Sequence, residues 1–128
     1  MPPDGGEKLM EAARAALKMS YCPYSQFAVG AAILGEDGRI FKGCNVEIGN
    51  LAGSICAERS AAVKAVSDGC RRFKAVAIAS ASGEFCWPCG ICRQFMQEFA
   101  ADLIVFAGND QGKIKSMPLE LLLPRSKD

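Results

Sequence analysis

Three cysteines and one glutamate have the types and spacing of a reactive metal site. Cys56 lies two residues before Glu58, and a Cys-x-x-Cys pair, Cys89 and Cys92, follows later in the chain. Three thiolates can hold one zinc ion and leave its fourth position to a water molecule, whose pKa the metal lowers toward neutrality. The sequence contains no His, so the usual neutral-pH acid or base is excluded and Glu58 is the expected proton carrier.

The composition predicts one globular domain, residues 1–128. Half of the 128 residues are apolar, which is enough for a core without disulfide bonds. The 15 basic and 14 acidic residues nearly cancel, to a net charge of +1, so the electrostatics favour neither a nucleic acid polymer nor a membrane surface as partner. Seven cysteines, an odd number, and the absence of a signal-peptide pattern predict a reducing, cytoplasmic setting.

The elements that must position these residues alternate between helices and strands. Hydrophobic periodicity predicts helices over residues 4–19, 56–67 and 88–100, with Asp4 and Glu7 as a capping box. It predicts strands over residues 27–34, 39–45, 73–81 and 103–107, a short strand around Ile114 and a terminal helical turn over 119–123. This order indicates an α/β fold, a central mixed sheet with helices on its faces.

Both cysteine clusters are predicted to lie at the start of a helix. Cys56 begins the second predicted helix, and Cys89 lies in the first turn of the third. The partial positive charge at a helix N-terminus favours thiolate over thiol. Arg59 and Arg93, three and four residues after a cysteine of their own helix, are predicted to donate hydrogen bonds to sulfur and offset the excess negative charge of three thiolates.

Other interpretations of the cysteines stay open from the residues alone. Cys86, Cys89 and Cys92 form a Cys-x-x-Cys-x-x-Cys run that, with Cys56, could bind an iron-sulfur cluster or a closed structural zinc. The Cys-x-x-Cys pair after a tryptophan could also be a dithiol redox centre. None of these alternatives explains why a glutamate lies two residues after Cys56.

Longer motifs resemble one family. Cys-Ala-Glu-Arg at 56–59 and Pro-Cys-Gly-x-Cys-Arg-Gln at 88–94 are similar to the small homotetrameric zinc-dependent cytidine deaminases, whose signature has an all-cysteine variant. Further matches are Tyr-Cys-Pro-Tyr-Ser-x-Phe at 21–27, Val-Gly-Ala-Ala at 29–32, Asn-Val-Glu at 45–47 and Glu-Leu-Leu-Leu-Pro at 120–124. The resemblance covers nearly the whole chain in order, and it implies a three-layer fold with a five-stranded sheet.

The resemblance implies hydrolytic deamination of cytidine, and also of deoxycytidine, to uridine or deoxyuridine and ammonia. Zinc-bound hydroxide would attack C4 of the base while Glu58 passes protons to N3 and to the departing amine. Asn45 and Glu47 would hydrogen-bond the ribose hydroxyls, Phe27 would line the base pocket, and the backbone at Ala57 would contact the pyrimidine. A homotetramer with active sites at subunit interfaces, and a role in pyrimidine salvage, are implied as well.

The chain departs from the family pattern in ways that bear on the pocket. Ile48 and Leu51 replace a usual polar residue and a usual Tyr, and the tail ends at Lys127 and its neighbours where many relatives have a Phe. Trp87 replaces a usual Ser and could supply the lost stacking surface for the base. The blasticidin S deaminases, which act on another modified cytosine nucleoside, share the motif and are the alternative within this reaction class. The Asn45 and Glu47 pair favours a free ribose.

Overall fold

A single mixed sheet forms the centre of the molecule, which is described by a computed structural model covering residues 6–50, 53–88, 90–100 and 102–122. Its strands are β1 (Val29–Gly35), β2 (Ile40–Cys44), β3 (Phe73–Ser80), β4 (Ile104–Gly108) and β5 (Ile114–Pro118). The sheet order is β2-β1-β3-β4-β5. The β3 and β4 strands run parallel, and the other neighbouring pairs are antiparallel.

Three helices cover the two faces of this sheet. They are α1 (Glu7–Leu17), α2 (Ala57–Ser67) and α3 (Gly90–Gln97), and a short 3-10 turn, Leu119–Leu121, follows β5. Alternate residues of β3 point to opposite faces, so Ala75 and Ala77 pack with the α1 side while Val76 and Ile78 pack with the α2 and α3 side. The predicted three-layer α/β fold and its five-stranded sheet are confirmed.

Two glycines let helices lie directly on the sheet. A Cβ at Gly30 of β1 would lie 2.1 Å from the Ala13 carbonyl oxygen of α1. A Cβ at Gly43 of β2 would lie 2.4 Å from the Ala61 nitrogen of α2. Both distances are far inside van der Waals contact, so the absence of a side chain is what allows this close packing.

The observed elements are shorter than predicted at several ends. The first helix begins at Glu7 with Gly6 as its N-cap and has no side-chain cap bond, so the predicted capping box is wrong. Asp4 itself lies outside the described residues. Phe27, predicted to begin the first strand, precedes β1 because its N–H and carbonyl bond to side chains. In the ranges given above, no helix is long and apolar enough to cross a membrane.

Candidate active site

The helix starts of α2 and α3 bring the predicted catalytic and metal-binding residues together. Cys56 is the N-cap of α2, in an extended conformation, and Glu58 is the second residue of that helix. Cys92 is the third residue of α3 and is fully buried. The Glu58 carboxyl group accepts a hydrogen bond from Cys92 and senses the charge of Cys56. Two of the three predicted ligands therefore meet at Glu58, and Cys89 lies outside the described residues.

Glu58 is a buried carboxyl group in an apolar setting. Only 4% of the surface of this residue is exposed. Burial, and next the charge of Cys56, raise the pKa of Glu58 to about 7, against the opposing effects of backbone and Cys92 hydrogen bonds and of Arg59. A carboxyl group held near neutrality in this way can both accept and donate a proton.

The described part of the predicted metal site has a donor set that suits zinc. Among the described residues, with Cys89 outside the described ranges, no group of three or more His, Cys, Asp or Glu side chains is placed to hold a metal. The donors that are present, two sulfurs beside a carboxyl group at helix N-termini, are soft ligands of the kind that zinc prefers. Cys56, Cys89 and Cys92 are therefore the residues that would hold the ion.

The two arginines that are predicted to donate hydrogen bonds to cysteine sulfur have different surroundings. Arg59 donates from Nη2 to the Ser54 carbonyl at 3.2 Å, and its Nε is buried with no hydrogen-bond partner in the part of the chain that the structure describes. That N–H remains available to a thiolate. Arg93 instead donates from Nε to the Pro88 carbonyl at 2.5 Å and from Nη1 to the Leu122 carbonyl. Donation to sulfur stays a prediction for both residues.

A pair of backbone bridges fixes the predicted sugar-binding residues beside the α2 helix start. Val46 and Ile55 exchange two backbone hydrogen bonds of 2.9 Å, one residue before Cys56. On its other side, Val46 bridges to Tyr21 in parallel, and the Glu47 N–H donates to the Tyr21 carbonyl at 2.8 Å. The Asn45-x-Glu47 segment is thus tied through the backbone to Ile55, the residue before Cys56.

Asn45 uses most of its side chain to hold neighbouring loops. Its Oδ1 accepts from the Val29 N–H at 3.1 Å and from the Ser20 hydroxyl. Its Nδ2 donates to the Phe27 carbonyl at 2.9 Å. Since the oxygen already has two donors, the amide has only an N–H left for a ligand. Asn45 can therefore act toward a sugar hydroxyl as a donor.

Glu47 is oriented by the segment around Ser25. Its Oε1 accepts from the backbone N–H groups of Tyr24 and Ser25 at 3.1 and 3.0 Å, and its Oε2 accepts from the Ser25 hydroxyl. These hydrogen bonds, that of the Ser25 side chain foremost, lower the pKa of Glu47, so the group is a carboxylate at neutral pH. Ser25 lies within the Tyr-Cys-Pro-Tyr-Ser-x-Phe motif at 21–27, but no pattern in the sequence predicts this role, which only the three-dimensional contact reveals.

Most of the remaining predicted positions lie in the described part of the chain. Ala57 is buried at the start of α2, and Phe27 is 38% exposed, as a pocket wall can be. Trp87 and Cys86 are half-buried and pack against the core on the α2 and α3 side, so stacking of Trp87 on a base and metal contact by Cys86 stay predictions. Ile48 is exposed. Leu51 and Lys127 lie outside the described residues.

The chain is similar in sequence to known proteins of one family. The profile of a family described as the cytidine and deoxycytidylate deaminase zinc-binding region matches residues 4–108. A cytidine deaminase of Sporosarcina psychrophila is 44% identical over 119 residues, which are 92% of this chain and 88% of the relative. A probable cytidine deaminase of Dictyostelium discoideum is 44% identical over 117 residues, 91% of this chain and 80% of the relative.

A solved structure agrees with the sequence relatives. The crystal structure of cytidine deaminase from Burkholderia pseudomallei superposes with a TM-score of 0.89 at 39% identity, covering 99% of this chain and 100% of that one. These matches favour the deaminase interpretation over the iron-sulfur, closed-zinc and dithiol alternatives. The buried Glu58 between two cysteines, the fold and the matched sequence agree, and the chain belongs to the cytidine and deoxycytidylate deaminase family.

Proposed function

We propose that this chain catalyses the hydrolytic deamination of cytidine, and also of deoxycytidine, to uridine or deoxyuridine and ammonia. The observation that carries the proposal is Glu58, whose carboxyl group belongs to a residue that is 4% exposed, is hydrogen-bonded by Cys92 of α3 and is influenced by the charge of Cys56, the N-cap of α2. A buried carboxyl group costs free energy that a structural surface glutamate would not. This free-energy cost has a functional reason if the carboxyl group moves protons in a site from which bulk water is excluded.

In the proposed reaction, Cys56, Cys89 and Cys92 hold one zinc ion per chain. When bound, the metal supplies Lewis-acid chemistry that lowers the pKa of a water toward neutrality. Glu58 carries the protons: its carboxylate accepts one from the attacking water and delivers it to N3 of the base. Glu58 next takes the second proton of the same water, now on the oxygen bonded to C4, and passes it to the exocyclic amine. The bond from C4 to this nitrogen breaks, the C4 carbonyl of the product forms and ammonia leaves. Arg59, with its unused Nε–H, donates to a ligand thiolate, and Arg93 supports the loop before Cys89.

The loop side of the site recognises the nucleoside. The Asn45 amide donates its remaining N–H to a ribose hydroxyl, and the Glu47 carboxylate accepts from a hydroxyl. Phe27 lines the base pocket, the backbone at Ala57 contacts the pyrimidine, and Trp87 offers a stacking surface. A pair made of one donor and one acceptor suits a sugar with free hydroxyl groups, which supports cytidine over blasticidin S as the substrate.

The assembly is proposed to be a homotetramer of single-domain chains, residues 1–128, with active sites at subunit interfaces. Large apolar side chains cluster on the exposed loops beside Glu47, and a second subunit would cover them: Tyr21, Tyr24, Ile48 and Ile55 are 58%, 60%, 46% and 39% exposed. Sedimentation equilibrium checks this expectation, because a monomer at micromolar concentration would contradict it. Free nucleosides in cytoplasmic pyrimidine salvage are the proposed substrates; nucleic acid polymers and membranes are not proposed as partners.

The test of the function is product analysis with the purified, zinc-replete chain. We expect uridine and ammonia in equal amounts from cytidine, with deoxycytidine also converted and blasticidin S converted poorly. Metal analysis of the same sample should find one zinc per chain. Iron with sulfide, or no metal together with no conversion of any cytosine nucleoside, would overturn the proposal.

A further inference from the structure

Ser25 joins two residues that are predicted to bind substrate. Its N–H and its hydroxyl both donate to the Glu47 carboxylate, the first at 3.0 Å to Oε1 and the second to Oε2. The same hydroxyl oxygen accepts from the Phe27 N–H at 3.1 Å. One short side chain therefore touches both the carboxylate proposed to bind the sugar and the backbone of the residue proposed to line the base pocket.

The chain between Ser25 and Phe27 adopts a conformation that needs outside support. Gln26 has a φ of 58°, and it is the only non-glycine residue in the described ranges with a positive φ. The left-handed region is costly for a residue with a Cβ and persists where its surroundings impose it. The Gln26 N–H bonds to the Cys22 carbonyl at 2.9 Å, and the bonds of Ser25 hold this bend on both sides.

Glu47 depends on this bend in return. Without the Ser25 hydroxyl, its Oε2 would lose the donor that the structure gives it, and only the backbone N–H groups at Oε1 would remain. Ser25 and Tyr24 are exposed. Packing around them therefore cannot replace the hydrogen bonds that restrict the rotamers of the Glu47 side chain. A carboxylate that must be ordered when the ligand arrives binds more weakly than one that is already held.

We propose that Ser25 is a positioning residue for sugar recognition, which holds the Glu47 carboxylate in its binding orientation before the nucleoside arrives. The inference rests on the proposed function. Sugar recognition then depends on a residue outside the predicted substrate contacts, through its hydrogen bonds to Glu47. A merely structural serine in an exposed bend would affect all substrates alike, whereas a positioning residue affects those whose sugar hydroxyls Glu47 binds.

The test compares cytidine with 2',3'-dideoxycytidine, which lacks the hydroxyls at both positions. For Ser25→Ala we expect kcat/KM for cytidine to fall about tenfold, mainly through KM, from the loss of a hydrogen bond to a charged group. The value for dideoxycytidine should stay within about twofold, so the preference for cytidine over dideoxycytidine shrinks. An equal fall for both nucleosides, or no fall for either, would overturn the proposal.

Further variants separate positioning from general damage. Ser25→Thr keeps the hydroxyl and should restore the wild-type preference, and Ser116→Ala, at an exposed serine of β5, should leave it unchanged. In a Glu47→Ala background, Ser25→Ala should no longer alter the preference. An equal effect of Ser25→Ala with and without Glu47 would contradict the proposal.

A measurement without turnover completes the test. Carboxyl NMR should show that Ser25→Ala raises the pKa of Glu47 toward its usual value, since the hydrogen bond from the Ser25 side chain is the largest of the effects that lower it. If the pKa of Glu47 does not rise, the contact is not made in solution and the proposal is overturned. If the wild-type protein converts neither nucleoside, the proposed function is wrong and this inference falls with it. If it converts cytidine and Ser25→Ala keeps the full preference, the positioning role alone fails.

Discussion

The two sides of the active site are built by different physical means. On the chemical side, Glu58 and Cys92 are buried where α2 and α3 meet over the sheet. On the sugar side, Asn45, Glu47 and Phe27 lie on half-buried or exposed loops. They are held by hydrogen bonds with Ser20, with Ser25, with backbone groups and with one another.

This difference indicates how each side can vary. Burial and helix packing leave little freedom around Glu58, because a close-packed interior responds to changes as small as a methyl group. A loop held by polar contacts can be altered by one substitution at the cost of about one hydrogen bond. We therefore expect changes on the helix side to abolish the reaction or the fold, and changes on the loop side to alter substrate preference.

Removal of zinc should have the largest effect and should act on the chemical side. We expect a chelated sample to release no ammonia from cytidine, and one equivalent of zinc to restore the rate, because Cys56, Cys89 and Cys92 are the proposed ligands. The helices rest on an apolar core, so far-ultraviolet circular dichroism should keep its helical signal. Full activity in a sample shown by metal analysis to hold less than a tenth of the zinc would contradict the metal's role.

Gly43→Ala tests the support of the chemical side from beneath. A Cβ there would lie 2.4 Å from the Ala61 nitrogen and 2.8 Å from the Ala57 carbonyl oxygen, so α2 must move away from β2. We expect a loss of about 3 kcal/mol or more in the free energy of unfolding, measured in urea. Gly90→Ala is the matched control, because a Cβ there meets nothing within 4 Å, and it should be neutral or slightly stabilising. Equal stability of the two variants would show that the helix is not in direct contact with the strand.

Asn45→Asp tests the sugar side with almost no change in shape. The substitution replaces the Nδ2 donor, which bonds the Phe27 carbonyl at 2.9 Å, with an acceptor that faces another acceptor. We expect a loss of about 1–3 kcal/mol in the free energy of unfolding and a higher KM for cytidine, with kcat less affected. A fall in kcat alone, with KM and stability unchanged, would place Asn45 on the chemical side and break the comparison.

Asp37→Asn should have the smallest effect, on stability in acid, because Asp37 lies in the turn between β1 and β2 and belongs to neither side of the site. The Asp37 carboxylate accepts from the Arg39 N–H at 3.0 Å and from Arg39 Nε at 2.8 Å, which lowers the pKa of Asp37 below its usual value. A lowered pKa means that the stabilisation is present above the unfolded-state pKa of about 3.8 and is lost as the pH falls through the folded-state pKa. Melting curves from pH 7 to 2.5 should show a slightly shallower acid loss for Asp37→Asn, with unchanged cytidine turnover at pH 7.

The chemical side was more predictable from sequence than the sugar side. Helix periodicity and the Cys56 and Glu58 spacing place the catalytic residues on one helix turn, and the apolar run of β3 predicts a strand that is buried on both faces. The Ser25 contact with Glu47 joins residues 22 positions apart, and neither periodicity nor turn propensity specifies such a pairing. The positive φ of Gln26 could not be predicted from the sequence either, because glutamine has no preference for the left-handed region. The N-cap of α1 is Gly6 and not the predicted Asp4, and the sequence could not decide between them because competing caps differ by about 1 kcal/mol.

The central claim is that Glu58 moves the protons of a cytidine deamination, and the most direct test is the ultraviolet change of cytidine on conversion to uridine. Zinc-replete wild-type protein and Glu58→Gln, which is nearly equal in shape and cannot carry the proton, should be compared at equal zinc content. We expect conversion by the wild type and a rate at least about 10³-fold lower for the variant, with zinc still bound. Comparable rates for the two proteins, or conversion by neither, would contradict the claim.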